Sequence, residues 1–333
     1  MTITLPDGIE SFLAGAGWQG ADIQPLAGDA SFRRYFRIAD KAGGRSAMLM
    51  DAPPPHEDPR PFLHVAHWLT ENGMRAPQIL AEDAARGLVL LEDFGNARMR
   101  DYLDIAPQDE AGTYRRAIDA LVALHRLPPG PFDPYSMEVY QREAALLVEW
   151  FCPAARIEVD AVSYTAAWDE ALQPMMERQS PGVTVLRDYH AENIMLLGDG
   201  VGSAREQGLI DFQDALVGHP AYDIVSLLQD ARRDVSPDLE REMLDHYLGQ
   251  INGGADFEAD YARLGAQRNA KIVGIFARLW RRDDKPRYLP MIPRVWEAME
   301  RDLQHPALAP VAKWFDANIP PAVRDARGGG LGA

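Results

Sequence analysis

The sequence predicts an α+β chain in which a small, strand-rich lobe comes first and a larger, helix-rich lobe follows. Three observations carry this. Short apolar runs separated by glycine turns fill the N-terminal part, as in an antiparallel sheet. From about Asp109 onward, apolar residues recur at helical spacing. Three more short apolar runs, at 183–186, 194–197 and 208–210, interrupt the helical part and flank two polar clusters.

The elements follow in order. Ile9, Phe12 and Leu13 share a helical face that glycines stop, so the literal Gly-x-Gly-x-x-Gly of Gly15, Gly17 and Gly20 follows a helix and precedes a strand. A dinucleotide fingerprint needs the reverse order. Strands are expected over 23–26, 32–39 and 45–50, with turns at Gly28-Asp29 and Gly43-Gly44. The proline-rich stretch 53–59 reads as a stiff connector. A helix over 61–72 carries Phe62, Val65, Ala66 and Leu69 on one face and stops at Gly73. Strands over 78–81 and 87–91 complete an N-lobe of residues 1–92. A hinge at 93–98 leads to a C-lobe of 99–320, with helices over 110–127, 137–152, 160–179, 222–232, 237–250 and 257–282. The tail, 321–333, contains Gly328-Gly329-Gly330 and is expected to fray.

Composition narrows the function classes. The chain has 333 residues, 47% hydrophobic and 25% charged, with a formal net charge of −16. Such an acidic balance argues against a nucleic-acid or anionic-membrane surface, which needs clustered Lys and Arg. Cys152 is the only cysteine, so no intramolecular disulfide can form and a reducing compartment is implied. Its neighbours Leu146, Leu147, Trp150 and Phe151 make it a small core residue. The first residues show no secretory pattern, and no apolar run reaches membrane-spanning length, so a cytoplasmic location is expected. His56, His64 and His67 lack zinc spacing, and His125 lies on an apolar helical face.

Arg187-Asp188-Tyr189-His190-Ala191-Glu192-Asn193, followed by Ile210-Asp211-Phe212-Gln213-Asp214, carries the chemistry. Phosphoryl transfer needs an acceptor oxygen held in line and metal ions neutralising the β- and γ-phosphates. Asp188 can take or orient a hydroxyl proton. Asn193 and Asp211 offer the hard oxygens that Mg²⁺ prefers. The short strands around them are suited to bring all three to one edge. No Gly-x-x-x-x-Gly-Lys-Ser/Thr occurs, which excludes a P-loop. The phosphates of ATP fit better at Gly28-Asp29-Ala30-Ser31-Phe32-Arg33-Arg34, where small residues allow close backbone approach and the arginines add positive charge. A hairpin with solvated arginines is the alternative. Alternation puts Arg33 and Arg37 on the face opposite Arg34.

These residues resemble the aminoglycoside phosphotransferase and choline kinase family, a branch of the protein-kinase-like fold, over about 26–282. Its catalytic loop reads His-Gly-Asp-x-His-x-x-Asn. Asp188, His190 and Asn193 match, while Leu186 replaces the histidine and Arg187 the glycine. The resemblance maps the metal-binding Asp to Asp211. It also matches 218–224 to a Gly-Asp-Pro-x-x-Asp-Leu pattern in which Asp223 braces the loop. The backbone around Glu92 to Phe94 would meet adenine. The third expected strand holds no lysine where kinases place the phosphate-pairing one, and the helix after it offers no glutamate before Glu71. Arg33 or Arg34 is the expected substitute. Within the family, the 28–37 segment, Met50-Asp51-Ala52-Pro53-Pro54, Arg187-Asp188-Tyr189-His190 and Phe276-Ala277-Arg278-Leu279 resemble bacterial kinases of cell-wall recycling that phosphorylate the anomeric hydroxyl of N-acetylmuramate and N-acetylglucosamine. The resemblance implies an ATP- and Mg²⁺-dependent kinase of a small-molecule hydroxyl. An aminoglycoside or amino-alcohol acceptor, or a non-catalytic nucleotide-binding module, is the alternative. His190 either orders the loop or touches substrate. Asp214 either contacts substrate or caps a helix. Arg278, Arg281 and Arg282 either complement a helix dipole or meet a sugar carboxylate, and Trp280 either stacks on a sugar or packs.

Overall fold

Alternating apolar residues in the N-terminal part form an antiparallel sheet of five strands: β1 (Asp22–Pro25), β2 (Arg34–Ala39), β3 (Ser46–Asp51), β4 (Ile79–Asp83) and β5 (Leu88–Glu92). Their spatial order is β1-β2-β3-β5-β4. Phe36, Ile38, Ala47, Leu49, Leu88 and Leu90 pack one sheet face against Ile9, Phe12 and Leu13 of the helix Ile9–Gly15. Period-two geometry turns Tyr35, Arg37, Met48 and Met50 to the other face. The register sets Tyr35 beside Met50 and Arg37 beside Met48. The connector leads into the helix Arg60–Glu71, which buries Phe62, Leu63, Val65, Ala66 and Leu69.

This computed structural model describes residues 5–26, 32–40, 44–198, 206–251, 254 and 256–332. The chain divides into two units, Met1–Ile105 with Glu192–Ala215, and Ala106–Ala191 with Leu216–Ala333. The division falls beyond the expected hinge at 93–98. The helix Met99–Ile105 stays with the sheet, and so does the hairpin of β6 (Ile194–Leu196) and β7 (Gln207–Leu209). Backbone bonds explain it. Leu196 donates to the Ala97 carbonyl at 2.7 Å and Leu209 to the Arg75 carbonyl at 2.8 Å.

The second unit is helical apart from two short paired strands, Val183–Val185 and Leu216–Gly218. Its central element is the helix Phe257–Asp283, buried along most of its length. The expected single helix over 137–152 is broken into Met137–Ala144, a π-turn at Leu147–Phe151 and a short piece from Cys152. Gly274 of the long helix backs onto this point: a Cβ there would lie 2.3 Å from the Leu146 carbonyl carbon. Burial raises the Cys152 thiol to about 12, as suits an inert core residue. The tail expected to fray instead forms the helix Pro321–Asp325. Arg324 pairs with Glu300 at 2.5 Å and Gly328 packs on Trp296, so tertiary contacts offset the glycine entropy. Among the described residues no helix is long and apolar enough to cross a membrane.

Candidate active site

In the first unit, the β6–β7 hairpin sets the metal-ligand candidates side by side. Asn193 immediately precedes β6 and Asp211 follows β7 by two residues. Ile210 donates its N–H to the Asn193 carbonyl at 3.1 Å, extending the ladder past its formal end. The Asn193 amide then donates to Asp211 Oδ2 at 3.2 Å, and Gln213 Nε2 to Asp211 Oδ1 at 3.0 Å. Asp211 is exposed and takes a left-handed conformation, φ 62°. The buried Phe212 ring, stacked on Phe62 with centroids 5.1 Å apart, anchors it.

Phe94 covers Gly208 of β7, where a Cβ would lie 2.6 Å from the ring. The Arg75 guanidinium lies over the other part of this platform, 4.7 Å from the Phe94 centroid. Glu92 pairs with Arg75, Nη1 to Oε2 at 2.7 Å, which holds its carboxyl below the usual range. The Glu92 N–H is given to the Gln78 carbonyl at 2.9 Å. Glu92 is therefore committed to the sheet by both side chain and amide.

Gly28 and Ser31 lie outside the described residues. Arg34 sits opposite Asp51 in the β2–β3 register, with Nε 2.8 Å from the buried carboxylate. Arg37 reaches Asp93 at 2.8 Å and the Gly95 carbonyl at 3.1 Å. Arg33 meets Glu57, Nε to Oε2 at 3.3 Å.

The second unit carries Asp188 on a loop built over buried polar groups. The N–H groups of Leu186 and Arg187 both donate to Asp223, at 2.6 and 2.8 Å. Burial pushes the Asp223 carboxyl up to about 7, against those two hydrogen bonds, which favour the ionised form. Arg187, at φ 71°, occupies the position where a glycine was expected. Ser226 donates its hydroxyl to the Arg187 carbonyl at 3.2 Å, and the Arg187 guanidinium pairs with Glu143. Glu143 also meets Lys271 Nζ at 3.1 Å and accepts from the Tyr135 hydroxyl. Burial alone would raise this carboxyl, but Lys271 and Arg187 hold it below the usual range. Further along, Tyr189 donates to the Ala117 carbonyl at 2.9 Å and Ala191 to Asp230 at 3.3 Å. His190 is buried with Nε2 3.4 Å from Arg232; desolvation lowers its pKa to about 3, so it is neutral.

Asp188 and His190 thus belong to the second unit, and Asn193, Asp211 and the exposed Asp214 to the first. Arg278 is half-buried on the long helix, where burial and Arg282 lower its pKa. Sequence reasoning missed Glu143 and Lys271. A carboxylate in the apolar stripe of Tyr140, Ala144 and Leu147 was the available signal.

The phosphotransferase enzyme family model matches residues 22–266. The chain belongs to this family. Two relatives named N-acetylmuramate/N-acetylglucosamine kinase agree. The one from Caulobacter vibrioides is 36% identical, covering 94% of this chain and 96% of its own. The one from Pseudomonas aeruginosa is also 36% identical, covering 93% of each. Choline kinase from Streptococcus pneumoniae superposes with a TM-score of 0.61 over 90% of this chain and 97% of its own, at 12% identity. That likeness is one of fold, and it bears out the α+β, protein-kinase-like expectation. This phosphotransferase has Leu186 and Arg187 at the two positions where its loop departs from the resemblance pattern, with Asp188, His190 and Asn193 following. Asp223 takes both backbone N–H groups of the two departing positions.

Proposed function

We propose that this phosphotransferase moves the γ-phosphate of ATP to the anomeric hydroxyl of an amino sugar, N-acetylmuramate or N-acetylglucosamine, in the cytoplasm. The observation that carries the acceptor is the 36% identity to kinases named for those sugars, spread over nearly the full length of both chains. Asp188 takes or orients the acceptor proton. Asn193 and Asp211 hold Mg²⁺. The Asn193 side-chain N–H donates to Asp211 Oδ2 at 3.2 Å, which keeps the two side chains adjacent, and the Asn193 amide oxygen with the Asp211 carboxylate would be the small hard-oxygen set this ion accepts from protein. Bound there, the ion supplies neutralisation of phosphate charge. Gly28 and Ser31, outside the described residues, are the positions assigned to the phosphates. Adenine is met by backbone groups after Glu92, at Asp93 and Phe94, because the Glu92 N–H is already used. His190, neutral and buried, orders the loop that carries Asp188, while Asp214 and Arg278 are the residues assigned to the sugar.

The test is a panel of acceptors incubated with Mg-ATP and read by ³¹P resonance. Anomeric phosphate on N-acetylmuramate or N-acetylglucosamine is expected. Phosphate only on choline or an aminoglycoside would overturn the acceptor, and tight nucleotide binding without any transfer would overturn Asp188 as an acting base.

A further inference from the structure

Strand β3 contains no lysine, so in the proposed phosphotransfer the nucleotide polyanion takes its charge partner from another element. Three arginines at β2 compete for that role, and their surroundings separate them. Arg34 points to the face of the apolar cluster, where it neutralises buried Asp51 and lies 5.8 Å from the Phe36 ring centroid. Removing it would strand a buried carboxylate, which marks a structural cation. Arg37 ties β2 to the segment after β5 through Asp93, the Gly95 carbonyl and Asn96.

Arg33 is placed differently. It lies at the start of β2, on the face of Tyr35 and away from the apolar cluster. Tyr35 hydrogen-bonds Arg33 and feels the charges of both Arg33 and Asp211. That puts Arg33 in the electrostatic neighbourhood of the metal-ligand candidate. Glu57 holds it from the other side, accepting from Arg33 Nε at 3.3 Å and from the Phe32 N–H at 3.2 Å. Arg33 and Glu57 also line a cavity of about 780 Å³ walled by the proline-rich connector.

We propose that Arg33, set in place by Glu57, is the cation that pairs with the nucleotide phosphates. The Arg33–Glu57 pair then does here what a strand lysine and a helix glutamate do in protein kinases. Glu57 is a positioning residue: it restricts a long, flexible side chain before the nucleotide arrives. The inference rests on the phosphotransfer reading.

Steady-state kinetics on the folded enzyme, with ATP and the acceptor varied separately, test it. Arg33→Ala should raise KM for ATP about tenfold or more and lower kcat, in keeping with loss of a charge-assisted hydrogen bond. KM for the acceptor should stay as in wild type, and Arg33→Lys should recover part of the loss. Glu57→Gln should shift the same ATP constants in the same direction by a smaller factor. Unchanged ATP constants in Arg33→Ala would overturn the assignment. So would a Glu57→Gln variant that melts earlier with ATP constants intact, or a well-folded Arg34→Ala that alone raises KM for ATP. Wild-type enzyme that transfers phosphate to no acceptor would remove the phosphotransfer reading itself; active wild type with an indifferent Arg33→Ala removes only this inference.

Discussion

Arg187 and Asp211 share a left-handed backbone conformation, φ 71° and 62°, and are held in opposite ways. For a side chain with a Cβ, each position costs about 1–2 kcal/mol. Asp211 is exposed and fixed at the mouth of a short hairpin by Asn193 and Gln213. Arg187 is rooted through Asp223, Ser226 and Glu143 in buried polar structure. The metal-ligand candidates therefore stand on a surface whose loss affects chemistry. The loop of Asp188 stands on groups whose loss affects the fold as well.

The largest effect separates chemistry from scaffold. Asp188→Asn should lower turnover by about 10²–10⁴-fold, the usual contribution of a positioned general base, with the affinity for ATP retained. Equilibrium titration with a nucleotide analogue checks the second half. Asp211→Asn should lower turnover roughly a hundredfold or more, because a bound ion supplies several kcal/mol of charge stabilisation. It should also raise the Mg²⁺ concentration needed for half-maximal rate. Calorimetry should show its melting temperature close to wild type, since the residue is exposed; a collapse of stability would break the comparison from that side.

Much of this was legible before any coordinates, and the reasons differ by region. The first sheet announces itself through alternation and glycine turns. Asp188, Asn193 and Asp211 stand out as candidates in the sequence because phosphoryl transfer constrains residue type and order together. The break at Leu147–Phe151 was hidden, because the element packed against it, at Gly274, lies far along the chain. So was the docking of the tail, which depends on Glu300 and Trp296. The choice among Arg33, Arg34 and Arg37 was hidden for a similar reason. Their surroundings depend on the Arg34–Asp51 register and on Glu57, neither of which a single strand displays.

Asp223 sharpens the scaffold side. Asp223→Ala leaves the Leu186 and Arg187 N–H groups buried without their acceptor, so a loss of about 2 kcal/mol is expected, a few degrees in melting temperature. Its titration has a readable sign. The folded carboxyl, at about 7, lies above its unfolded value, so its contribution to stability is full below about pH 4 and fades as pH rises through 7. Activity should run the other way. Only the ionised carboxylate accepts both N–H groups with full strength, so turnover should rise through a limb near pH 7 that Asp223→Asn removes. A flat profile from pH 6 to 8 in wild type would dissociate the loop from this group.

The smallest effect isolates backbone strain. Arg187→Gly relieves about 1 kcal/mol or more of left-handed strain, and gives some back through the freer unfolded chain. It also removes the guanidinium from Glu143 and from the Tyr135 ring, 5.6 Å away. Glu143 would keep Lys271 and the Tyr135 hydroxyl, so its charge is not stranded. The lost contacts outweigh the relief, and a net loss of about 1 kcal/mol is expected in denaturant melts. Arg187→Ala loses the same contacts without relieving the strain and should fall about 1 kcal/mol lower still. At Asp211 the order changes. Asp211 is exposed, and relief of its left-handed strain offsets the hydrogen bonds lost from Asn193 and Gln213, so Asp211→Gly should stay close to wild-type stability while losing turnover. If Arg187→Gly and Asp211→Gly moved stability by equal amounts, the buried anchoring of the Asp188 loop would contribute nothing beyond φ itself.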